Sequence, residues 1–360
     1  MKNLSLRWLA AAALVASLAA CESTTPTANT TESTGTEVTS APATTKSRLD
    51  TVKERGKLIC GVEGTIPGFS FVDSSGQYSG LDVDICKAVA AAVLGDATKV
   101  EYRNLDSTER FTALRGGEVD MLSRNTTWTL SRDATGGNAM EFAPTTFYDA
   151  QGMMVRADSG FTKLEDMQGS RICVETGTTT ELNLTSRMAE LGVKYTDVKF
   201  QDGAEANEAY LQGSCDGYTS DKSQLFARRT QYPKPEEHIL LDVSMSKEPL
   251  GPVTMNNDSA WFDVVKWVTF GLMQAEEFDI TQANVSQIAQ STTNKDIRNF
   301  LGVEGDLGTQ LGLPNDYMQK VVAAVGNYGE IYDRNIGDGI PRGLNKLWND
   351  GGLMYSPPAR

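Results

Sequence analysis

From Leu58 onward the apolar residues alternate between two spacings, and that alternation limits the fold more than any other feature of the sequence. Short β-type runs occupy Leu58 to Val62, Val100 to Tyr102 and Val119 to Leu122. Between them Ile85, Ala88, Val89, Ala92 and Val93 recur at helical spacing up to Gly95, and Thr108 to Leu114 reads as a helix stopped by Gly116-Gly117. A turn is expected across Gly76 to Gly80. A second set follows Met153-Met154-Val155: strand Arg171 to Val174, helix Glu181 to Leu191, a strand near Lys199, helix Ala204 to Leu211 and a strand around Gly217-Tyr218. Strands alternating with helices build a parallel sheet covered by helices, so the expected class is α/β, and two such sets in succession imply two lobes. The stretch from Trp261 to Leu347 is helix-rich, with Trp261, Val264, Val265 and Val268 at helical spacing, and reads as a structural extension.

The segment ahead of this pattern is of another kind. Lys2 and Arg7 precede an apolar run, Trp8 to Ala20, too short to remain in a bilayer as a spanning helix, which is the arrangement of an export signal. The run closes on Leu18-Ala19-Ala20-Cys21, which resembles the bacterial lipoprotein cleavage box: small residues fit the peptidase, and the cysteine is lipidated before becoming the new N-terminus. Residues 1–20 are therefore expected to be removed and Cys21 to carry lipid. Glu22 to Lys46 is Thr-, Ser- and Pro-rich with almost no large apolar residue, so residues 21–46 are expected to form a flexible tether.

Charge narrows the function. Lys+Arg 33 against Asp+Glu 47 gives a net charge of -14, which leaves no basic surface for nucleic-acid phosphates. The single histidine, His238, sits in the polar run Lys234-Pro235-Glu236-Glu237-His238 and reads as a solvated loop residue. One histidine is too few for a His-pair zinc site, and a Ser-His-Asp triad would depend on that residue alone, so neither metal nor cofactor is expected. With Cys21 lipidated, Cys60, Cys86, Cys173 and Cys215 remain in an oxidising compartment. Four cysteines allow three pairings, of which the local ones, Cys60 with Cys86 and Cys173 with Cys215, are the economical choice.

Six segments carry a family resemblance: Gly61 to Ser70 (GVEGTIPGFS), Gly80 to Cys86 (GLDVDIC), Arg110 to Asp120 (RFTALRGGEVD), Ser123 to Thr129 (SRNTTWT), Glu175 to Leu184 (ETGTTTELNL) and Gly351 to Pro358 (GGLMYSPP). In their order and spacing the chain resembles the amino-acid-binding proteins of bacterial ABC importers, extracellular solute-binding proteins of family 3, and most of all their general (polar) L-amino-acid branch. The resemblance implies the two-lobe type II periplasmic-binding-protein fold, with two hinge strands and a ligand clamped between lobes. Lobe 1 would span 47–150 and lobe 2 151–250, with 251–360 returning to lobe 1 and adding the helical C-terminal extension. The implied protein is a monomer that captures an L-amino acid and passes it to permease subunits. It would work in the periplasm, lipid-anchored to the membrane.

A free amino acid presents a carboxylate and an ammonium on one carbon, so its site needs a guanidinium fork, amide or hydroxyl donors and a carboxylate. The resemblance places the α-carboxylate arginine at Arg132, with Thr127 as hydroxyl and amide donor and Asn125 near the ammonium. In the second lobe Thr179 occupies the family's ligand position, and Thr178 and Glu181 are spaced as a capping box at a helix start. Asp221 matches the acid that receives the ammonium. Phe69, Phe111 and the Trp261 stripe read as core.

The side-chain pocket departs from relatives that clamp their ligand between aromatics, because the matching positions hold Ile66 and Ser107. Ser107 and Arg110 keep a pair found in glutamate-binding relatives, although Ser107 is also placed to cap a helix. Another arginine of those relatives is replaced by Glu63. Arg110 and Arg124 beside Glu63 and Glu175 would offer partners to acidic, amide and basic side chains alike. The expected protein is thus a binding module and not an enzyme. The competing readings are a cleft dehydratase of the cyclohexadienyl type, using Glu63 or Glu175 as acid or base, and an adaptor that presents its ligand to a membrane sensor.

Overall fold

The alternation of spacings becomes an alternation of elements. The computed structural model describes residues 46–360; the leader, the Cys21 lipidation box and the rest of the tether lie outside the described residues. Helix α1 (Arg48–Arg55) leads into β1 (Leu58–Val62), the short strands β2 (Thr65–Ile66), β3 (Ser70–Val72) and β4 (Tyr78–Ser79), helix α2 (Leu81–Leu94) and β5 (Val100–Asn104). Then come α3 (Arg110–Arg115), β6 (Met121–Leu122), α4 (Leu130–Asp133), β7 (Met140–Phe142), β8 (Phe147–Asp149) and β9 (Gln151–Arg156). The second set is β10 (Arg171–Glu175), α5 (Thr179–Glu190), β11 (Thr196–Phe200), α6 (Gly203–Leu211), β12 (Gly217–Asp221), α7 (Lys222–Arg229) and β13 (His238–Leu240). It is followed by β14 (Glu248–Leu250), β15 (Val253–Met255), α8 (Ser259–Glu277), α9 (Val285–Ser291), α10 (Lys295–Phe300), α11 (Leu307–Gln310), α12 (Tyr317–Val325) and α13 (Tyr328–Asn335). The turn expected over Gly76 to Gly80 is shorter than that, because Tyr78 and Ser79 pair with β3.

Two five-stranded sheets result, in the orders β5-β1-β6-β15-β7 and β11-β10-β12-β9-β13. In each, three parallel strands are joined by one antiparallel strand arriving from the hinge, β15 in the first and β9 in the second. The chain crosses from the first sheet along β8 and returns along β14, and these two strands pair with each other, Glu248 opposite Asp149. Both faces of each sheet are covered, as parallel sheets require. Leu58, Cys60 and Val62 of β1 enter the core cluster of α2 while Ile59 packs on the other face with Phe111 and Leu114; Ile172 and Val174 of β10 likewise face away from Cys173.

The disulfides are Cys60–Cys86, tying β1 to α2, and Cys173–Cys215, tying β10 to the residues before β12, as expected. Closing loops of these lengths is worth about 3 to 4 kcal/mol each in the chain-entropy description.

Helix α2 shows where the extension goes. Its spacing marked one apolar face, yet twelve of its 14 residues are buried, because α12 and α13 cover the side turned away from the sheet. A helix apolar on every side is a buried one. One of its two buried acids, Asp84, receives the Arg334 guanidinium at 2.8 Å and the Asn335 amide at 2.8 Å, which pins α13 to α2.

His238 is not a solvated loop residue. It opens β13, is 8 % exposed, and its Nδ1 lies 2.9 Å from the Tyr210 hydroxyl with Tyr232 against the ring. The charged run ahead of it forms a short turn that ends at the histidine, where the chain enters the sheet. Burial, aided by the Arg156 charge, lowers its pKa below the ordinary value.

Candidate ligand site

Every expected site residue lies at or shortly beyond the C-terminal end of a parallel strand, or at a helix start close by. Glu63 follows β1, Ser107 and Arg110 follow β5, and Arg124, Asn125 and Thr127 follow β6; Glu175 ends β10, Asp221 ends β12, Thr179 opens α5 and Arg132 lies in α4. The C-terminal edge of an α/β sheet is where ligands bind, since the loops diverge there and leave a crevice. All ten of these side chains line one cavity, together with Ile66, Thr178, Thr180, Ser220 and Gln224.

Three buried guanidinia line the cavity. Arg110 is 2 %, Arg124 3 % and Arg132 7 % exposed. The Arg110 and Arg132 guanidinia stand 5.0 and 5.6 Å from the centre of the Phe111 ring, so this core residue also gives two cations a π face. Arg132 Nη1 donates to the Thr127 carbonyl at 2.8 Å, and Arg124 Nη1 to the Ser107 hydroxyl at 3.3 Å. Ser107 does not cap α3. The Asp106 carboxylate takes the Thr108 and Glu109 N–H groups, each at 2.8 Å, and leaves the Ser107 hydroxyl to Arg124. Burial, followed by Arg124 and Arg132, pulls the Arg110 pKa well below its usual range; burial also lowers Arg132 to about 10. Guanidinia keep their protons even so, and the strain marks positive charge that awaits an anion.

Buried carboxyls lie in and around the same cavity. Burial lifts the Asp221 carboxyl well above the usual carboxylate range, and Asp149, Glu248 and Glu175 add to the shift. Burial lifts Asp149 to about 6 and raises Glu175 as well. Asp221 forms no surface ion pair with its neighbour, because Lys222 Nζ turns to the Ser244 hydroxyl at 2.8 Å. Asp221 Oδ2 accepts from Gln224 at 3.3 Å, while Oδ1 is buried without a partner. Under-compensated charges of both signs around one cavity suit a dipolar ligand.

Asn125 lines the same cavity from the left-handed region, at φ 51°, with neither amide atom partnered. Its backbone is held by Asp82, which accepts the Asn125 N–H at 3.1 Å and the Ser123 hydroxyl at 3.1 Å. Burial raises Asp82 to about 7. On the opposite sheet Thr178 caps α5 by accepting the Glu181 N–H at 3.1 Å, but the reciprocal half of the capping box is missing. Gly177, at φ 72°, swings its own N–H into reach of the Glu181 carboxylate at 2.9 Å.

Two buried charged side chains that contact residues at the site escaped the sequence reading. Arg228 of α7 reaches across to Thr65 Oγ1 at 3.2 Å and Glu63 Oε1 at 3.9 Å. Glu248 of β14 is 1 % exposed and accepts from Thr127, Thr179, Asn183 and Ser246. Its only sequence signal was an acid inside a short strand next to Pro249, which points nowhere until β14 is paired with β8.

Residues 58–284 match the family model for bacterial extracellular solute-binding proteins, family 3. The chain is 49 % identical over 326 residues to the general L-amino acid-binding periplasmic protein AapJ of Rhizobium johnstonii, covering 89 % of this chain and 95 % of that one. It is 47 % identical over 324 residues to the glutamate/glutamine/aspartate/asparagine-binding protein BztA of Rhodobacter capsulatus, covering 89 % and 95 %. Among solved structures, an ABC transporter periplasmic binding protein from Brucella ovis with glutathione bound aligns with a TM-score of 0.84 at 45 % identity, over 88 % of this chain and 100 % of that one. Strand order, hinge, cavity and sequence agree, and the chain belongs to the bacterial extracellular solute-binding proteins of family 3.

Proposed function

We propose that this protein captures L-amino acids outside the cytoplasm and delivers them to an ABC permease. The observation that carries the reading is that one cavity is lined both by the buried guanidinia of Arg110, Arg124 and Arg132 and by the buried carboxyls of Asp221 and Glu175, with Asp149 and Glu248 close enough to Asp221 to raise its pKa further. An amino acid brings a counter-charge for each sign at once. Arg132 takes the α-carboxylate and Asp221 the α-ammonium. Breadth follows from Arg110 and Arg124 standing beside Glu63 and Glu175, and from the lack of an aromatic side chain among the described residues lining the cavity. The curated relatives named above are binding proteins, and we assign no catalytic step. Cys21 carries the lipid that holds the chain at the membrane, so Cys21→Ser should lose a radioactive fatty-acid label that the parent chain takes up.

A second ligand class is favoured by the likeness to the glutathione-bound Brucella protein. The γ-glutamyl end of such a peptide presents the same α-ammonium and α-carboxylate as a free amino acid. Native mass spectrometry of the purified protein, followed by calorimetric competition among Glu, Gln, Asn, a basic amino acid and glutathione, tests both readings. Failure of every L-amino acid to bind would overturn the first, and glutathione displacing all of them at lower concentration would replace it with the second.

A further inference from the structure

With Arg132 on the α-carboxylate and Asp221 on the α-ammonium, the charged groups lining the cavity that are left for the ligand's side chain are Arg110, Arg124, Glu63 and Glu175. A fifth charge stands beside the two acids. Arg228, in the last turn of α7, is 6 % exposed. Its Nη2 lies 3.9 Å from Glu63 Oε1 and donates to the Thr65 hydroxyl at 3.2 Å, while that hydroxyl gives its own hydrogen to Glu63 Oε1 at 2.5 Å. Glu175 is close as well. A methyl group at Gly203 would lie 3.1 Å from Glu175 Oε2 and 3.2 Å from Arg228 Nη2, so that glycine leaves the two charges a shared space. Arg228 comes from the second sheet's side and Glu63 and Thr65 from the first, so the contact spans the cleft.

The buried guanidinia differ in how the protein answers them. Burial holds Arg110 and Arg132 below their ordinary pKa, with charge left over for a ligand. Burial pulls Arg228 the same way, but Tyr218, Glu63 and Glu175 outweigh it and hold Arg228 above the ordinary value. The two acids of the side-chain pocket thus already have a counter-ion, and it belongs to the protein.

We propose that Arg228 is a specificity-determining residue that fills the role of a cationic side chain at Glu63 and Glu175, so that the closed site takes neutral and acidic side chains ahead of basic ones. This inference rests on the amino-acid reading and deepens it by ranking the side chains. With Arg228 counted, three guanidinia stand with two carboxyls around the ligand's side chain; without it the signs balance. A basic ligand meets acids already answered and a surplus of positive charge, whereas an acidic ligand finds a partner in that surplus. Arg228 acts through the acids and the field of the pocket, and little water is present to screen it.

The test uses the mature full chain and two matched pairs of probes, L-glutamate with L-glutamine and L-arginine with L-citrulline, titrated calorimetrically or by competition. Members of a pair share shape and differ in charge, so a loss of stability or of lobe closure cancels in their ratio. The parent chain should prefer citrulline to arginine by about tenfold or more, since like charges brought together in a buried site are strongly disfavoured. Arg228→Gln should narrow that preference by about tenfold and lower the glutamate-to-glutamine ratio, while Arg228→Lys, which keeps the charge, should hold both ratios near the parent's. Should Arg228→Gln fail to fold because two acids lose their counter-ion, the comparison moves to Glu63→Gln with and without Arg228→Gln, where both ratios should shift in the same directions. Ratios unchanged on removing Arg228, or a parent chain that binds arginine as tightly as citrulline, would overturn the role given to Arg228 while leaving the amino-acid reading intact. A parent chain that binds no L-amino acid would overturn both.

Discussion

Asn345 and Tyr148 lie 197 residues apart in the chain and share two hydrogen bonds: the Tyr148 N–H donates to Asn345 Oδ1 at 2.6 Å, and Asn345 Nδ2 donates to the Tyr148 carbonyl at 3.3 Å. The side-chain amide thus does for the outer edge of β8 what a third strand's peptide group would do. On its inner side Tyr148 faces Pro249 of β14, which has no N–H to offer. Arg342, three residues earlier, anchors this stretch by a two-pronged pair with Glu276 while lying 5.3 and 5.4 Å from the ring centres of Tyr328 and Tyr332. The C-terminal extension therefore braces one of the two hinge strands.

Asn345→Ala should strip both partners from Tyr148 and cost roughly 1 to 3 kcal/mol, the range for buried polar groups left unpaired. Thermal unfolding would show the loss, and hydrogen exchange should rise at residues 147–149 before it rises in either sheet. An unchanged exchange pattern there would mean that the extension does not brace the hinge.

Arg132→Ala should weaken binding of every L-amino acid by more than about 30-fold, because truncating one partner of a buried charge pair costs roughly 2 to 5 kcal/mol. Calorimetry across acidic, amide and basic ligands decides it. A loss confined to one side-chain class would move Arg132 from the α-carboxylate to the specificity pocket.

Asp221 ties affinity to pH. Burial and neighbouring acids hold its carboxyl well above the usual range, and Asp149 stands at about 6, so in the free site protons stay on these groups in mildly acidic solution. An arriving ammonium favours the charged carboxylates and expels those protons. Binding should therefore weaken steadily as pH falls from about 8 to about 5. Titrations near pH 6 should show heats that track the ionisation enthalpy of the buffer. Asp221→Asn should abolish most binding and leave the empty protein at least as heat-resistant as the parent, since an under-compensated buried charge has been removed.

Arg110→Ala should weaken Glu and Asp while sparing neutral amino acids. Glu63→Gln should act in the opposite sense, relieving repulsion on an acidic ligand and depriving a cationic one. Competition titrations compare the two variants directly. Equal effects on acidic and neutral ligands would show that Arg110 shapes the cavity without reading the side chain.

In the amino-acid sequence, apolar spacing carried the α/β class, the shorter loops favoured both disulfide pairings, and the resemblance to family 3 singled out the residues that gather in the cavity. Their meeting has a local reason as well, since a residue just past a parallel strand emerges at the sheet's C-terminal edge wherever that sheet goes, as Asp221 and Glu175 do at the ends of β12 and β10. Encounters between distant segments were beyond the sequence. His238 looked solvated because its charged neighbours are; the pocket of Tyr210 and Tyr232 that buries it exists only once β13 lies against β9. Ser107 had the chemistry of a cap, but Asp106 competes one residue away with a charged acceptor, and only the folded turn shows which wins. Glu248 and Asn345 have no local signature at all. Their roles come from the pairing of β8 with β14 and from a C-terminal segment folding back over it, and hydrogen bonds spanning 121 and 197 residues are set by the packing of whole layers, which local spacing does not encode.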